Sequence, residues 1–129
     1  CSTLDELLEI SDVVSLHCPL TEQTRDLIDA ESLSKMKNSA VLINTARGAV
    51  VDEAALSDAL IRGEIAGAGL DVFVSEPDVG KHLIGLNNVL LSPHVGTATT
   101  ETRDEMGLRV IENITMFLST GQPIDKVER

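Results

Sequence analysis

The chain has 129 residues, 43% of them apolar and 24% charged, which is ordinary globular usage for one modest domain. Its formal net charge is −11, and it has no basic stripe and only two Phe to offer as a stacking platform, so nucleic-acid binding is not expected. The longest apolar runs are far too short to span a bilayer, so no membrane role is expected either.

With no Trp or Tyr, the aliphatic residues must fill the core. The cysteines, Cys1 and Cys18, have neither metal-ligand spacing nor a disulfide framework. No metal site is expected, and a reducing, cytoplasmic compartment is.

In chain order, Thr3-Leu4-Asp5-Glu6 is a capping-box pattern that opens a short helix with Leu4, Leu7 and Leu8 on one side. Val13 to His17 reads as a strand stopped by Pro19. Asp29 can cap a helix carrying Leu33 and Met36, and Ala40 to Ile43 is a continuous apolar strand. Asp52 caps a helix with Ala55, Leu56, Ala59 and Leu60 on one stripe, and Gly63 ends it. Ala66 to Val72 and Val89 to Leu91 are further strands. Thr102-Arg103-Asp104-Glu105 is a second capping box, predicting a long helix with Met106, Val110, Ile114, Phe117 and Leu118 at helical spacing, closed by Gly121.

This alternation predicts an α/β fold with a parallel sheet, helices on both faces and strands buried on both sides. Such sheets bind ligands outside the carboxyl ends of their strands. His17, Arg47, Asp71 and His94 fall at or just beyond those ends. A Gly-x-Gly-x-x-Gly turn between strand and helix is missing. Gly63 to Gly69 is glycine-rich but leads into a strand, so it reads as a turn plus close backbone packing.

Three residues concentrate the chemistry. Arg47, Glu76 and His94 each follow a short apolar run, in Asn44-Thr45-Ala46-Arg47-Gly48, Ser75-Glu76-Pro77 and Ser92-Pro93-His94-Val95-Gly96. A cation, a carboxylate and an imidazole at strand ends are what polarising a carbonyl, tuning a proton donor and moving a proton need. Taken singly, each has a plainer reading: a solvated arginine, a loop glutamate, a surface histidine. Ala46 and Gly48, however, leave room for a ligand beside Arg47. Asp71 ends an apolar strand, where an unpaired carboxylate is costly, and as a residue type it fits a turn or a helix cap. Cys18 has no base near it in sequence and reads as packing or lining rather than as a nucleophile, and His82 reads as surface.

Longer segments carry a family resemblance. Val14 to Thr21 with Thr24-Arg25-Asp26-Leu27-Ile28, Met36 through Arg47-Gly48 to Glu53, Gly69 to Phe73 with Glu76-Pro77, and Pro93 to Thr99 resemble, in order, the signatures of D-isomer-specific 2-hydroxyacid dehydrogenases. The match runs from about Leu4 to about Pro123. It implies the second half of a doubly wound, Rossmann-type NAD(P)-binding domain over residues 1–105, lacking the glycine-rich phosphate turn. Residues 106–129 would form a helix and tail belonging to a substrate domain. More chain would precede Cys1, and the isolated chain would be inactive.

By the same resemblance, Arg47, Glu76 and His94 are catalytic. Arg47 meets the substrate carboxylate and carbonyl, and His94 donates the proton with Glu76 holding its ring. His17, Cys18, Pro19, Thr24, Thr45, Ala46, Arg47, Asp71, His94 and Gly96 would contact NAD or NADP, with Asp71 on the nicotinamide carboxamide. The implied reaction is hydride transfer between nicotinamide and a small 2-keto or 2-hydroxy acid, in a homodimer. Pro93 to Thr99 and Glu101-Thr102-Arg103 are most similar to glyoxylate or hydroxypyruvate reductases, with D-lactate and phosphoglycerate dehydrogenases still open. Formate dehydrogenases carry Gln where Glu76 stands, which argues against that branch. The alternative is an NAD(H)-sensing transcriptional corepressor of the C-terminal-binding-protein type, which keeps the same three residues.

Overall fold

A computed structural model describes residues 3–127. They build two compact units, divided between Val95 and Gly96.

Local signals set most elements of the first unit. Helix α1 (Leu4–Ile10) starts where the Thr3 hydroxyl accepts the Glu6 amide at 3.2 Å. Helix α2 (Ala30–Lys35) starts where Asp29 accepts the Ser32 amide at 2.9 Å. Helix α3 (Glu53–Arg62) follows Asp52, whose carboxylate accepts the Ala54 and Ala55 amides, and it ends on Gly63 at φ 68°, a left-handed geometry that glycine adopts without strain.

Four short strands, β1 (Val13–Leu16), β2 (Val41–Asn44), β3 (Gly67–Leu70) and β4 (Val89–Leu91), form one parallel sheet in that order. The register pairs Val14 with Leu42 and Leu42 with Ala68, and pairs Leu16 with Asn44, Asn44 with Leu70 and Leu70 with Leu91. All four chain segments therefore leave the sheet at the same rim.

The core is aliphatic. Leu8, Ile28, Leu33, Leu42, Leu56 and Leu83 are fully buried. The expectation of strands buried on both faces is not met. Burial alternates along β1, β2 and β3, and Val13 on β1 is 61% exposed. The helices α1 and α2, and α2 and α3, pack side by side, and the register puts Val14, Leu16, Leu42, Ala68 and Leu70 on one covered face. Val41, Ile43, Gly67 and Gly69 on the other face are only half-buried. The glycine-rich segment packs closely, as expected, since a Cβ on Gly67 would press on the Asn88 carbonyl oxygen.

The second unit is dominated by helix α4 (Thr100–Thr120). It begins three residues earlier than Thr102 predicts, because the Thr99 hydroxyl takes the Thr102 amide at 3.2 Å and makes Thr102 part of the first turn. Gly121 closes it at φ 78°. Arg109 grips Asp125 with Nε and Nη2 (2.5 and 2.6 Å), which holds the Asp125 carboxyl down at about 2. No residue of α4 is buried, and Met106, Val110, Ile114, Phe117 and Leu118 are all exposed. Their spacing makes an apolar stripe, but that stripe is not part of the core of this chain.

Candidate active site

The site is built from the residues that follow β2, β3 and β4. At the end of β2, Asn44 is 1% exposed, and its side chain closes the turn that follows. Oδ1 accepts the Ala46 amide at 3.0 Å, and Nδ2 donates to the Arg47 carbonyl at 2.9 Å. A buried amide with both ends satisfied fixes the backbone that carries Arg47. The Arg47 guanidinium is at the surface, with Nη1 donating to the Ala46 carbonyl at 2.6 Å.

Beyond β3, Asp71 is buried and acts across to the end of β4. Its Oδ1 accepts from the Ser92 hydroxyl at 2.5 Å and from the Val95 amide at 2.9 Å. Between those two contacts lies His94, at φ 51°. A non-glycine residue in this left-handed region costs on the order of 1–3 kcal/mol and persists where its surroundings over-determine it. Asp71 is what over-determines it here. The carboxylate predicted to be expensive at a strand end is paired, and it orders the turn that presents the imidazole.

His94 Nδ1 lies 2.8 Å from Glu76 Oε2, and the other carboxylate oxygen, Oε1, accepts the Phe73 amide at 3.0 Å. Glu76 is thus held at both oxygens. Its pKa is lowered, first by the hydrogen bond with His94, then by the Phe73 amide, and further by the charges of His94 and Arg47. Because the folded-state value lies below the ordinary 4.5, Glu76 contributes stability that is complete above 4.5 and is lost as pH falls through the lowered value. Glu76→Gln should therefore flatten the loss of stability in acid. Denaturant melts of both proteins from neutral pH down to the acid transition check this, and parallel curves would remove the effect.

Two of the clefts on this rim border Arg47. One, of about 370 Å³, is lined by Leu20, Arg47, Gly48, Ala49, Phe73, Val74, Glu76 and His94. It brings the cation, the carboxylate and the imidazole of the sequence analysis onto one surface. The second, of about 560 Å³, is lined by His17, Cys18, Pro19, Leu20, Thr45, Ala46 and Arg47. Leu20 and Arg47 border both.

The other predicted contacts fall elsewhere. Thr24 is a turn residue, its hydroxyl donating to the Pro19 carbonyl at 2.7 Å and accepting the Thr21 amide at 2.8 Å. Gly96 is the first residue of the second unit. Among the described residues no cluster of His, Cys, Asp or Glu could hold a metal ion, and no helix is long and apolar enough to cross a membrane. Sequence reasoning missed Asn44 and Ser92. A polar residue closing an apolar strand, as Asn44 does, is the signal that could have found the first.

A parallel sheet whose strand ends all open on one rim, with clefts along it, places the chain among Rossmann-type nucleotide-binding domains. Residues 1–96 match the family described as D-isomer specific 2-hydroxyacid dehydrogenase, NAD binding domain, and the chain belongs to that family. It is 53% identical over 117 residues to glyoxylate/hydroxypyruvate reductase B of Pectobacterium carotovorum, covering 90% of this chain and 37% of that protein. It is 48% identical over 118 residues to glyoxylate reductase 1 of Saccharomyces cerevisiae, covering 92% of this chain and 34% of that protein. Among solved structures, the NADPH-dependent glyoxylate/hydroxypyruvate reductase of Sinorhizobium meliloti, in complex with NADP and malonate, superposes with a TM-score of 0.93 at 43% identity, covering 97% of this chain and 39% of that one. The chain thus spans little more than a third of the length of these relatives.

Proposed function

We propose that this chain supplies the proton-donating half of a reductase that converts a small 2-keto acid, glyoxylate or hydroxypyruvate, to the 2-hydroxy acid with NADH or NADPH. The observation that carries the reading is the single cleft lined by Arg47, Glu76 and His94.

In this reading Glu76 occupies His94 Nδ1, which leaves Nε2 to give its proton to the carbonyl oxygen as negative charge develops there. The carboxylate also fixes the orientation of the ring, with Nδ1 held 2.8 Å from Oε2. Arg47, planar and permanently charged, takes the substrate carboxylate. The cleft lined by His17, Cys18, Pro19, Thr45 and Ala46 borders Arg47, and its mixed polar and apolar lining suits a nicotinamide nucleotide. When bound there, that group supplies the reducing equivalent. Asp71 orders the His94 turn in this arrangement, and a contact to the carboxamide remains part of the proposal. Cys18 is a free thiol, which fits a reducing cytoplasm, and the family resemblance adds a homodimer.

The sequence contains no Gly-x-Gly-x-x-Gly turn to cradle a pyrophosphate, so the isolated chain should not turn over. The test is a spectrophotometric assay of NADH and NADPH oxidation with glyoxylate, hydroxypyruvate and pyruvate. The complete protein carrying this chain should oxidise cofactor with at least one of them, and the 129-residue chain with none. A complete protein silent on all three would overturn the glyoxylate or hydroxypyruvate reading and favour the dinucleotide-sensing corepressor.

A further inference from the structure

Glu76 and Arg47 belong to different loops, and a separate contact ties those loops together. The peptide joining Phe73 to Val74 is gripped by the segment that runs from Gly48 into α3. On one side, Gly48 packs so tightly that a Cβ placed on it would overlap the Phe73 carbonyl carbon and oxygen and the Val74 nitrogen. On the other, Glu53 reaches across from the first turn of α3, and its Oε1 accepts the Val74 amide at 2.7 Å. The next amide back, that of Phe73, goes to Glu76. Successive amides of one loop are therefore held by two carboxylates. One belongs to the helix that follows Arg47, and the other to the partner of His94.

We propose that Glu53 is a positioning residue for the Glu76–His94 pair, acting through the Val74 amide to hold the Phe73–Glu76 loop against the loop of Arg47. Glu53 touches neither reacting group. With Val74 unheld, the Phe73 amide is free to turn away from Glu76 Oε1, and the carboxylate loses the contact that fixes its angle toward His94. The effect is geometric, and misplacement of a catalytic group by about 1 Å costs on the order of 10²-fold in rate. The catalytic consequence rests on the reductase reading above; the clamp itself does not.

A plainer role competes. An acid in the first turn of a helix is favoured by the helix dipole wherever its side chain points. Two substitutions separate the roles. Glu53→Asp keeps the charge in the first turn but shortens the reach by one carbon–carbon bond, about 1.5 Å. Glu53→Gln removes the charge but keeps an acceptor at the same reach.

The complete protein should be measured in two ways. In turnover, Glu53→Asp and Glu53→Ala should lower kcat about 10- to 100-fold with the KM for cofactor within about twofold of wild type, and Glu53→Gln should stay near wild type. By NMR, the downfield His94 Nδ1 proton should persist in wild type and Glu53→Gln, and should broaden or vanish in Glu53→Asp and Glu53→Ala. Folding of each variant is checked by its melt. Glu53→Asp behaving as wild type while Glu53→Gln is damaged would assign Glu53 to the helix dipole and overturn the proposal. An unchanged His94 signal in a folded Glu53→Ala protein would also overturn it. Wild-type protein without turnover but with the His94 signal responding as described would remove the reductase reading and leave the clamp standing.

Discussion

His94→Gln should lower kcat for keto-acid reduction by roughly 10²–10⁴-fold, the usual worth of a positioned general acid. Glutamine matches much of the imidazole's volume and can still face Glu76 with its amide. It cannot release a proton at neutral pH. The loss should be larger in kcat than in cofactor affinity, because in the proposed reaction it falls on the step in which the carbonyl oxygen acquires charge. The His94 backbone stands at φ 51°, a region that histidine tolerates better than most residues, so a modest loss of stability is also expected. Steady-state kinetics and a cofactor titration on the same preparation separate the two effects. A variant within about tenfold of wild type in kcat would show that the proton comes from elsewhere.

Gly48→Ala should be the most damaging single-methyl change in the first unit. The added carbon has no room, and the atoms it meets are backbone, which cannot swing aside as a side chain would. Overpacking of this kind costs about 1–3 kcal/mol when the surroundings can shift. Here the shift required is a separation of the Arg47 loop from the Phe73–Glu76 loop, which widens the cleft lined by Arg47, Glu76 and His94, where the proposed reductase would hold its substrate. Stability by denaturant melt and kcat/KM should both fall, and the activity of the folded fraction should fall further than stability alone explains. Wild-type values for both would mean that the two loops are not in the contact described. Relief of a poor fit by a larger substrate would be seen as a smaller loss with hydroxypyruvate than with glyoxylate.

The parts of the fold that were legible in the residues are those whose partners are close in the chain. Thr3, Asp29 and Asp52 cap helices by accepting amides two or three residues ahead, and Gly63 and Gly121 close helices through their own backbone freedom. Even there, the cap expected at Thr102 lies three residues upstream, at Thr99, whose hydroxyl accepts the Thr102 amide. The parallel order of the sheet was legible from the alternation of elements. Its uneven burial was not, because an apolar run of four residues reads the same whether one face is covered or both.

For the site, Arg47, Glu76 and His94 were identifiable as a set through their flanking motifs. The contacts that hold them were not. Asp71 meets Ser92 and Val95 from 21 and 24 residues away, and Glu53 meets Val74 from 21. From residues alone came the elements, their order and the three chemical groups, since these follow from local propensity and from motif. Folding chose which amide each carboxylate accepts and how closely two loops approach. Those choices hang on the register of a parallel sheet, and a register brings together atoms that no stretch of neighbouring residues encodes.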